Sequence, residues 1–568
     1  MRMSQVCVAL APAVFFAVAC RPSTASRWDN FVDAFIESYF QANPHFAVYQ
    51  GRHEFDGRFP EWSEAALREE IARLHRMRDE AQRFDTTGLD PARSVERDYL
   101  IALVDGDLFW LEKAEWPWRN PVFYGQALDP NVYLTRPYAP LADRMRAYAR
   151  WARAVPAAAA HIRANLRTPL PRAYADIGQI RFGGLIPYLE RDVPSIFAAV
   201  TDTALQAEFR AATAGAVQAL RALDAWLASE RTRGTDAFAL GPDLFREMLW
   251  ATERVDVPLE RLEEIGRADL ERNLRALEQA CARYARGRPV QACVDQAAAH
   301  KPAGGPVAAA RAQLDSLEQF VRARDLVTIR GTERAKVEES PPHQRWNFAY
   351  IDIPGPYEKG MPSVYYVAPP DPAWTRVERD AYIPGVADLL FTSVHEVWPG
   401  HFLQFLHSNR SPRMLGRVFV GYAFAEGWAH YTEELMWDAG LGGGGDGDPE
   451  THIGQLLNAL LRNARYLCAI GLHTKGMTVT ECERLFRNRA FASPAEARQQ
   501  AARGTFDPAY LNYTLGKLMI MRLRDDWAHS RGGREEWKQF HDAFLSHGGP
   551  PIPLVRQAML GLSAGPPL

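Results

Sequence analysis

The chain has 568 residues, of which 47% are apolar, 24% charged and 11% aromatic; it is long enough for several buried cores and too apolar for intrinsic disorder. Its formal net charge is −3, from 66 Lys and Arg against 69 Asp and Glu, which excludes a global pull toward nucleic acid or an anionic membrane. Partners therefore have to be sought at local sites.

Residues 1–19 read as a signal peptide. Arg2 gives a positive start, and the apolar run from Val6 to Phe16 is too short for a comfortable membrane span but suits a signal core. It ends in Ala17-Val18-Ala19-Cys20. Small residues before a cysteine resemble the bacterial lipoprotein box, in which Cys20 is lipidated and becomes the mature N-terminus; plain cleavage at the Ala-x-Ala site is the alternative. Either route predicts an extracytoplasmic protein, periplasmic or anchored to the outer membrane, with membrane contact only through that lipid.

Beyond the signal, Trp28, Phe31, Val32, Phe35, Ile36, Tyr39 and Phe40 recur at three- and four-residue steps, one apolar face of a helix that Asn43-Pro44 stops. Further helices are predicted over 63–84, 90–110, 141–166, 204–229 and 258–284. Strand signals are few: Thr328-Ile329, Trp346 to Ile353 and Ser363 to Ala368, where β-branched and aromatic residues cluster. Gly440 to Pro449 reads as a surface loop. Helix resumes over 451–472, 480–491 and 510–530. The fold class is mainly α, a large helical fold with a small β element before the helix predicted around His395. A helical N-terminal region, 20–340, and a metal-binding region, 341–568, are expected to form one continuous unit. Cys281 with Cys293 and Cys468 with Cys482 could form two local disulfides, although spacing alone equally permits free thiols.

The chemistry concentrates between His395 and Tyr431. His395-Glu396 and His401 supply two imidazoles and a carboxylate. Zincins commonly use histidines four apart on a helix, about 40° apart in rotation, so that both face one ion. Here the second histidine stands at i+6, roughly 240° around an unbroken helix. Pro399-Gly400 can unwind the helix and bring His401 back toward His395, or the helix simply ends and His401 opens the next one. Glu426 sits in an apolar setting of Tyr422, Phe424, Trp428 and Tyr431 with Gly427 beside it. A carboxylate buried there needs a cation, and a metal qualifies.

His-Glu-x-x-Pro-Gly-His-x-x-Gln from His395 to Gln404, with Glu-Gly-Trp-Ala-x-Tyr from Glu426 to Tyr431, resembles the bacterial domain-of-unknown-function family numbered 885. The resemblance extends over Asn43-Pro44 and Gly51, Arg465 with Leu472-His473-Thr474, and Asp507 to Lys517. It implies a helical, gluzincin-type metallopeptidase. One Zn2+ would be held by His395, His401 and Glu426, leaving a position for an activated water, with Glu396 as general base. Glu433, seven residues after Glu426, is the expected hydrogen-bond partner of a ligand imidazole. Tyr513 is the first candidate for the oxyanion donor, with Tyr510 and His473 behind it. Arg465 and Arg503 are candidates for gripping a substrate carboxylate, or are structural ion-pair partners. His430 is a substitute ligand should His401 not fold back, and His407 is incidental. The expected substrate is a peptide. An amidase or esterase using the same ligands, and a non-enzymatic envelope binding lipoprotein, are the competing readings.

Overall fold

The structure is a computed structural model that describes residues 23–341, 344–345, 348–372, 374–529, 531–561 and 565–568; the signal region and Cys20 lie outside the described residues. Helix accounts for 71% of the described residues, in agreement with the mainly α expectation. The principal N-terminal helices are α1 (Thr24–Ala42), α2 (Glu64–Arg83), α3 (Pro91–Leu108), α4 (Leu141–Asn165) and α5 (Thr203–Arg233). Their starts are written locally: Ser23, Ser63, Asp90 and Asp202 each accept a hydrogen bond from a backbone N–H of the first turn. The apolar stripe read from α1 is buried, with Trp28, Phe35 and Phe40 fully inside a core shared with Tyr148 of α4 and Leu220 of α5.

A second core holds α6 (Pro242–Glu253), α7 (Leu259–Tyr284) and α8 (Pro306–Ala323) together with most of what lies downstream, while Leu415, Val418, Phe419 and Leu554 pack into the first core. It contains strands β1 (Lys336–Glu339), β2 (Ala349–Asp352) and β3 (Val364–Val367), then α9 (Val386–Glu396), α10 (His401–Ser408), α11 (Tyr422–Asp438), α12 (Pro449–Thr474), α13 (Val479–Arg489), α14 (Pro494–Phe506) and α15 (Asn512–His529). The sheet has the order β1-β3-β2, with β1 parallel and β2 antiparallel to β3. Tyr365, at its centre, faces Ser393 of α9 at 3.4 Å, so the β element does sit against the motif helix.

One strand expectation is corrected. Thr328-Ile329 is not a strand, because the Thr328 N–H and hydroxyl both donate to Asp542 rather than to a ladder. The strand that pairs with β3 is instead 336–339, a charged stretch with one buried residue, Val337. The helix predicted to reach Trp110 leaves α geometry at Leu108 and finishes as a π turn over Phe109–Lys113. Gly440 to Pro449 folds as tight turns in which Gly440, Gly442, Gly443 and Gly444 all take positive φ.

Both local cysteine pairs are joined as disulfides, Cys281–Cys293 and Cys468–Cys482; the second ties α12 to α13. No helix among the described residues is long and apolar enough to cross a membrane. Two close helix crossings prepare the motif region. Gly427 of α11 lies on Gly516 of α15, where a Cβ on Gly427 would stand 2.5 Å from the Gly516 Cα. Gly454 of α12 rests on the backbone of Ala387 in α9. Glu253 then fastens the starts of α11 and α15 together, accepting from the Ala423 N–H (3.1 Å) and the Asn512 amide (2.8 Å).

Candidate metal centre

Helix α9 stops at Glu396, where Val397 leaves helical geometry at φ −124, ψ −72. The Trp398–Pro399 peptide is cis, and Gly400 precedes the new helix α10 that His401 opens. The backbone is therefore broken rather than bulged, and the chain doubles back on itself: the Gly400 N–H donates to the Val394 carbonyl at 3.0 Å. Gly400 lies so close to the His395 carbonyl that a Cβ has no room. The outcome is the one that the i+6 spacing forbids in a regular helix. The rings of His395 and His401 stand 4.8 Å apart and nearly perpendicular, at 88°.

The break is pinned from below by α11, since the Trp428 indole N–H donates to the Pro399 carbonyl at 2.9 Å. Two residues earlier on that helix, Glu426 reaches both imidazoles. Its Oε2 is 3.3 Å from His395 Nε2 and 3.4 Å from His401 Nε2. One ligand atom from each of the three residues lies within 4.8 Å of the others, the one such group of metal-competent side chains among the described residues. Donors at zinc distances of about 2.0–2.1 Å in a tetrahedral shell stand roughly 3.3–3.4 Å from one another, which is the spacing of Glu426 from each of the two imidazoles.

Glu433 orients the first imidazole. Its Oε1 accepts from His395 Nδ1 at 2.7 Å, which fixes the ring so that Nε2 is the nitrogen facing Glu426. The same carboxylate takes His430 Nδ1 at 3.2 Å and Arg462 at 3.3 Å. Burial opposes its ionisation, but Arg462, His430 and His395 outweigh that and hold Glu433 well below the usual carboxylate range. Burial likewise works against Glu426, and the charges and hydrogen bonds of His401 and His395 keep it ionised. For His395, burial would favour the neutral ring, yet Glu426 and Glu433 raise it to about 9. Glu396 behaves oppositely: burial raises its carboxyl above the ordinary range, against the pull of His401 and His395.

Tyr513 is brought to the centre, its ring stacked 6.3 Å from that of His395. Arg503 approaches the Tyr513 hydroxyl at 3.5 Å, donates to the Tyr422 hydroxyl at 2.8 Å and is paired with Asp507 at 2.9 Å. Arg465 donates to Gln500 at 2.9 Å and lies over the Tyr513 ring at 4.7 Å.

Other candidates are elsewhere. His473 is corrected from catalytic candidate to core residue: Nε2 donates to the Gly504 carbonyl at 2.7 Å and Nδ1 accepts from the Leu240 N–H at 3.3 Å, so neither nitrogen is left for a substrate. The Tyr510 hydroxyl is fully buried against Gly504 and the Cys482 sulfur, 3.9 Å away. His430 partners Glu433 and is not needed as a ligand once His401 is in position; burial lowers it to about 4. His407 accounts for itself by donating to the Thr328 carbonyl at 2.7 Å.

Sequence reasoning missed Arg462 and Tyr422. Arg462 is three residues before Arg465 on α12 and is steadied by Asn458, whose amide in turn donates to Asp388 at 2.6 Å. An arginine pair at i, i+3 on an otherwise apolar helix was the available signal.

Over residues 44–559 the chain matches the family described as a bacterial protein of unknown function (DUF885). No curated protein matches it. Two solved structures share the fold. One is a candidate lipoprotein of unknown function from Shewanella oneidensis, at TM-score 0.76 and 23% identity, covering 94% of this chain and 99% of that one. The other is a candidate lipoprotein from Colwellia psychrerythraea, at TM-score 0.78 and 15% identity, covering 94% and 98%.

Proposed function

We propose that this chain, which belongs to the bacterial DUF885 family, is a zinc-dependent hydrolase that cleaves peptide bonds with Glu396 as general base. The observation that carries the reading is the convergence of His395 Nε2, His401 Nε2 and Glu426 Oε2 from three different helices, within 4.8 Å of one another. Two imidazoles and a carboxylate are a zinc donor set of the catalytic kind, in which a fourth position is left for water. The ion, when bound, supplies Lewis acidity that polarises a carbonyl and lowers the pKa of water toward about 7.

The chain's own groups do the rest. Glu396, beside the first ligand and raised by burial, takes a proton from the attacking water and returns it to the leaving amine. A carboxyl raised above the ordinary range is better matched to both transfers than an ordinary one. Glu433 keeps the His395 proton on Nδ1. Tyr513, with Arg503 behind its hydroxyl, is the donor to the developing oxyanion.

The test is metal analysis of the purified full chain coupled to a hydrolysis assay. About one equivalent of zinc is expected, with chelation abolishing cleavage of a mixed peptide library and added zinc restoring it. Less than about half an equivalent, with no gain on adding zinc, sinks the reading. Cleavage of small amides or esters in place of the library moves the activity to a non-peptide substrate.

We propose further that the protein is exported and lipid-anchored through Cys20. Support comes from Ala17-Val18-Ala19-Cys20, from two disulfides suited to an oxidising compartment, and from the descriptions of both structural relatives as candidate lipoproteins. Cys20→Ser is expected to shift the protein from the membrane to the soluble fraction on fractionation; unchanged partitioning defeats the lipid anchor.

A further inference from the structure

Three guanidinium groups crowd the ring of Tyr513, with Arg465 at 4.7 Å from its centroid, Arg503 at 5.7 Å and Arg462 at 6.0 Å. Two of these cations are answered by carboxylates, Arg462 by Glu433 at 3.3 Å and Arg503 by Asp507 at 2.9 Å. The third is not. Arg465 is only 8% exposed, and its single hydrogen bond runs from Nε to Gln500. Among the described residues no Asp or Glu oxygen comes within the 4.0 Å of an ion pair, and its two terminal nitrogens find no acceptor. A guanidinium does not escape burial by losing its proton, and Glu496, the carboxylate that feels its charge, does so from beyond ion-pair distance, so the terminal nitrogens are left for an anion. The free edge of the fork, two parallel N–H groups, has the geometry of a carboxylate.

Position gives the anion its identity. The Tyr513 ring that carries Arg465 lies 6.3 Å from the ring of His395. Two short steps therefore separate the guanidinium from the zinc ligand, at most roughly 11 Å in all, the reach of about three extended residues. We infer that Arg465 receives the C-terminal carboxylate of a peptide, which makes the enzyme a carboxypeptidase removing one or two residues at a time. This rests on the hydrolase reading above and adds the substrate end to it. Arg503, the other candidate, is excluded because Asp507 already satisfies it. The reaction consumes one water: its oxygen joins the acyl carbon, the C–N bond breaks, and the amine of the released residue or dipeptide takes the proton that Glu396 carries.

The experiment uses two synthetic libraries of short N-acetylated peptides, identical except that one ends in free acids and the other in amides. With the zinc-loaded wild-type protein, mass spectrometry is expected to find the acids shortened by one or two residues and the amides cleaved about 100-fold more slowly, since a site built for a charged partner rejects the analogue that lacks it. In a separate arm, immobilised Glu396→Gln protein is expected to retain acids over amides by at least about tenfold. Arg465→Gln should erase that preference without loss of zinc, and Arg465→Lys should restore part of it. Equal cleavage of acids and amides, or cuts counted from the N-terminus, overturns the carboxylate site while leaving the hydrolase. Retention of acids with no hydrolysis by the wild type does the reverse. Equal retention of both libraries, or of neither, overturns the site without reference to catalysis.

Discussion

Glu396→Gln is expected to lower kcat by about 10²–10⁴-fold, the usual contribution of a positioned general base, while the protein keeps its equivalent of zinc. Glutamine preserves the shape of the last turn of α9 and the half-buried position of the side chain, but it has no carboxylate to accept a proton. The metal-competent group of His395, His401 and Glu426 does not include Glu396, so its loss should spare metal affinity. Because the group acts in the transition state more than in substrate binding, KM should move little and kcat/KM should fall with kcat. Steady-state kinetics beside metal analysis checks both halves. Parallel loss of zinc would make Glu396 a ligand, and undiminished turnover would remove it from the mechanism.

The residues that carry this argument differ in how openly the sequence shows them. His395, Glu396, His401 and Glu426 were legible because their types are those of a zinc site and because Glu426 sits among aromatic residues, where a solvated carboxylate is out of place. Glu433 followed from helical periodicity, seven residues along the same face. The helix starts at Ser63 and Asp90 were legible locally, each being a side chain that caps the first turn. What local pattern could not show is partnership across long separations. His473 looked functional by its neighbours in sequence, but the groups that satisfy it, the Leu240 N–H and the Gly504 carbonyl, are 233 and 31 residues away. Thr328 is held by Asp542, 214 residues on, and so never joins the sheet. Arg462 acquires its role only when Glu433 arrives from another helix. Arg465 and Arg503 were indistinguishable in the sequence, and Asp507 separates them.

The dipeptide Pro399-Gly400 is where sequence and geometry were in open conflict, and Gly400→Ala is the change expected to undo the site most completely from outside the ligand set. A Cβ on residue 400 would meet the carbonyl of His395 and stand 2.5 Å from that of Val394, both backbone atoms of the final turn of α9. A flexible side chain can swing aside from such an overlap, whereas these carbonyls belong to the helix that aims the first imidazole. Relief therefore has to come from rotating His395 or from lifting the start of α10, which carries His401. Zinc tolerates ligand distances within about 0.2 Å of ideal, so either motion is expected to weaken binding on the order of 100-fold, the upper end for perturbing a ligand's supports. Overpacking should also cost about 1–3 kcal/mol of stability. The matched control is Gly215→Ala, in the interior of α5 with nothing within 4 Å of the added carbon, where removing a helical glycine should be neutral or stabilising by up to about 1 kcal/mol. Competitive chelator titration and thermal melts of the two variants read both effects. Wild-type zinc affinity in Gly400→Ala would mean that the break in the chain is incidental, and that His401 reaches the ion by some route other than the close packing of residue 400 on the His395 carbonyl.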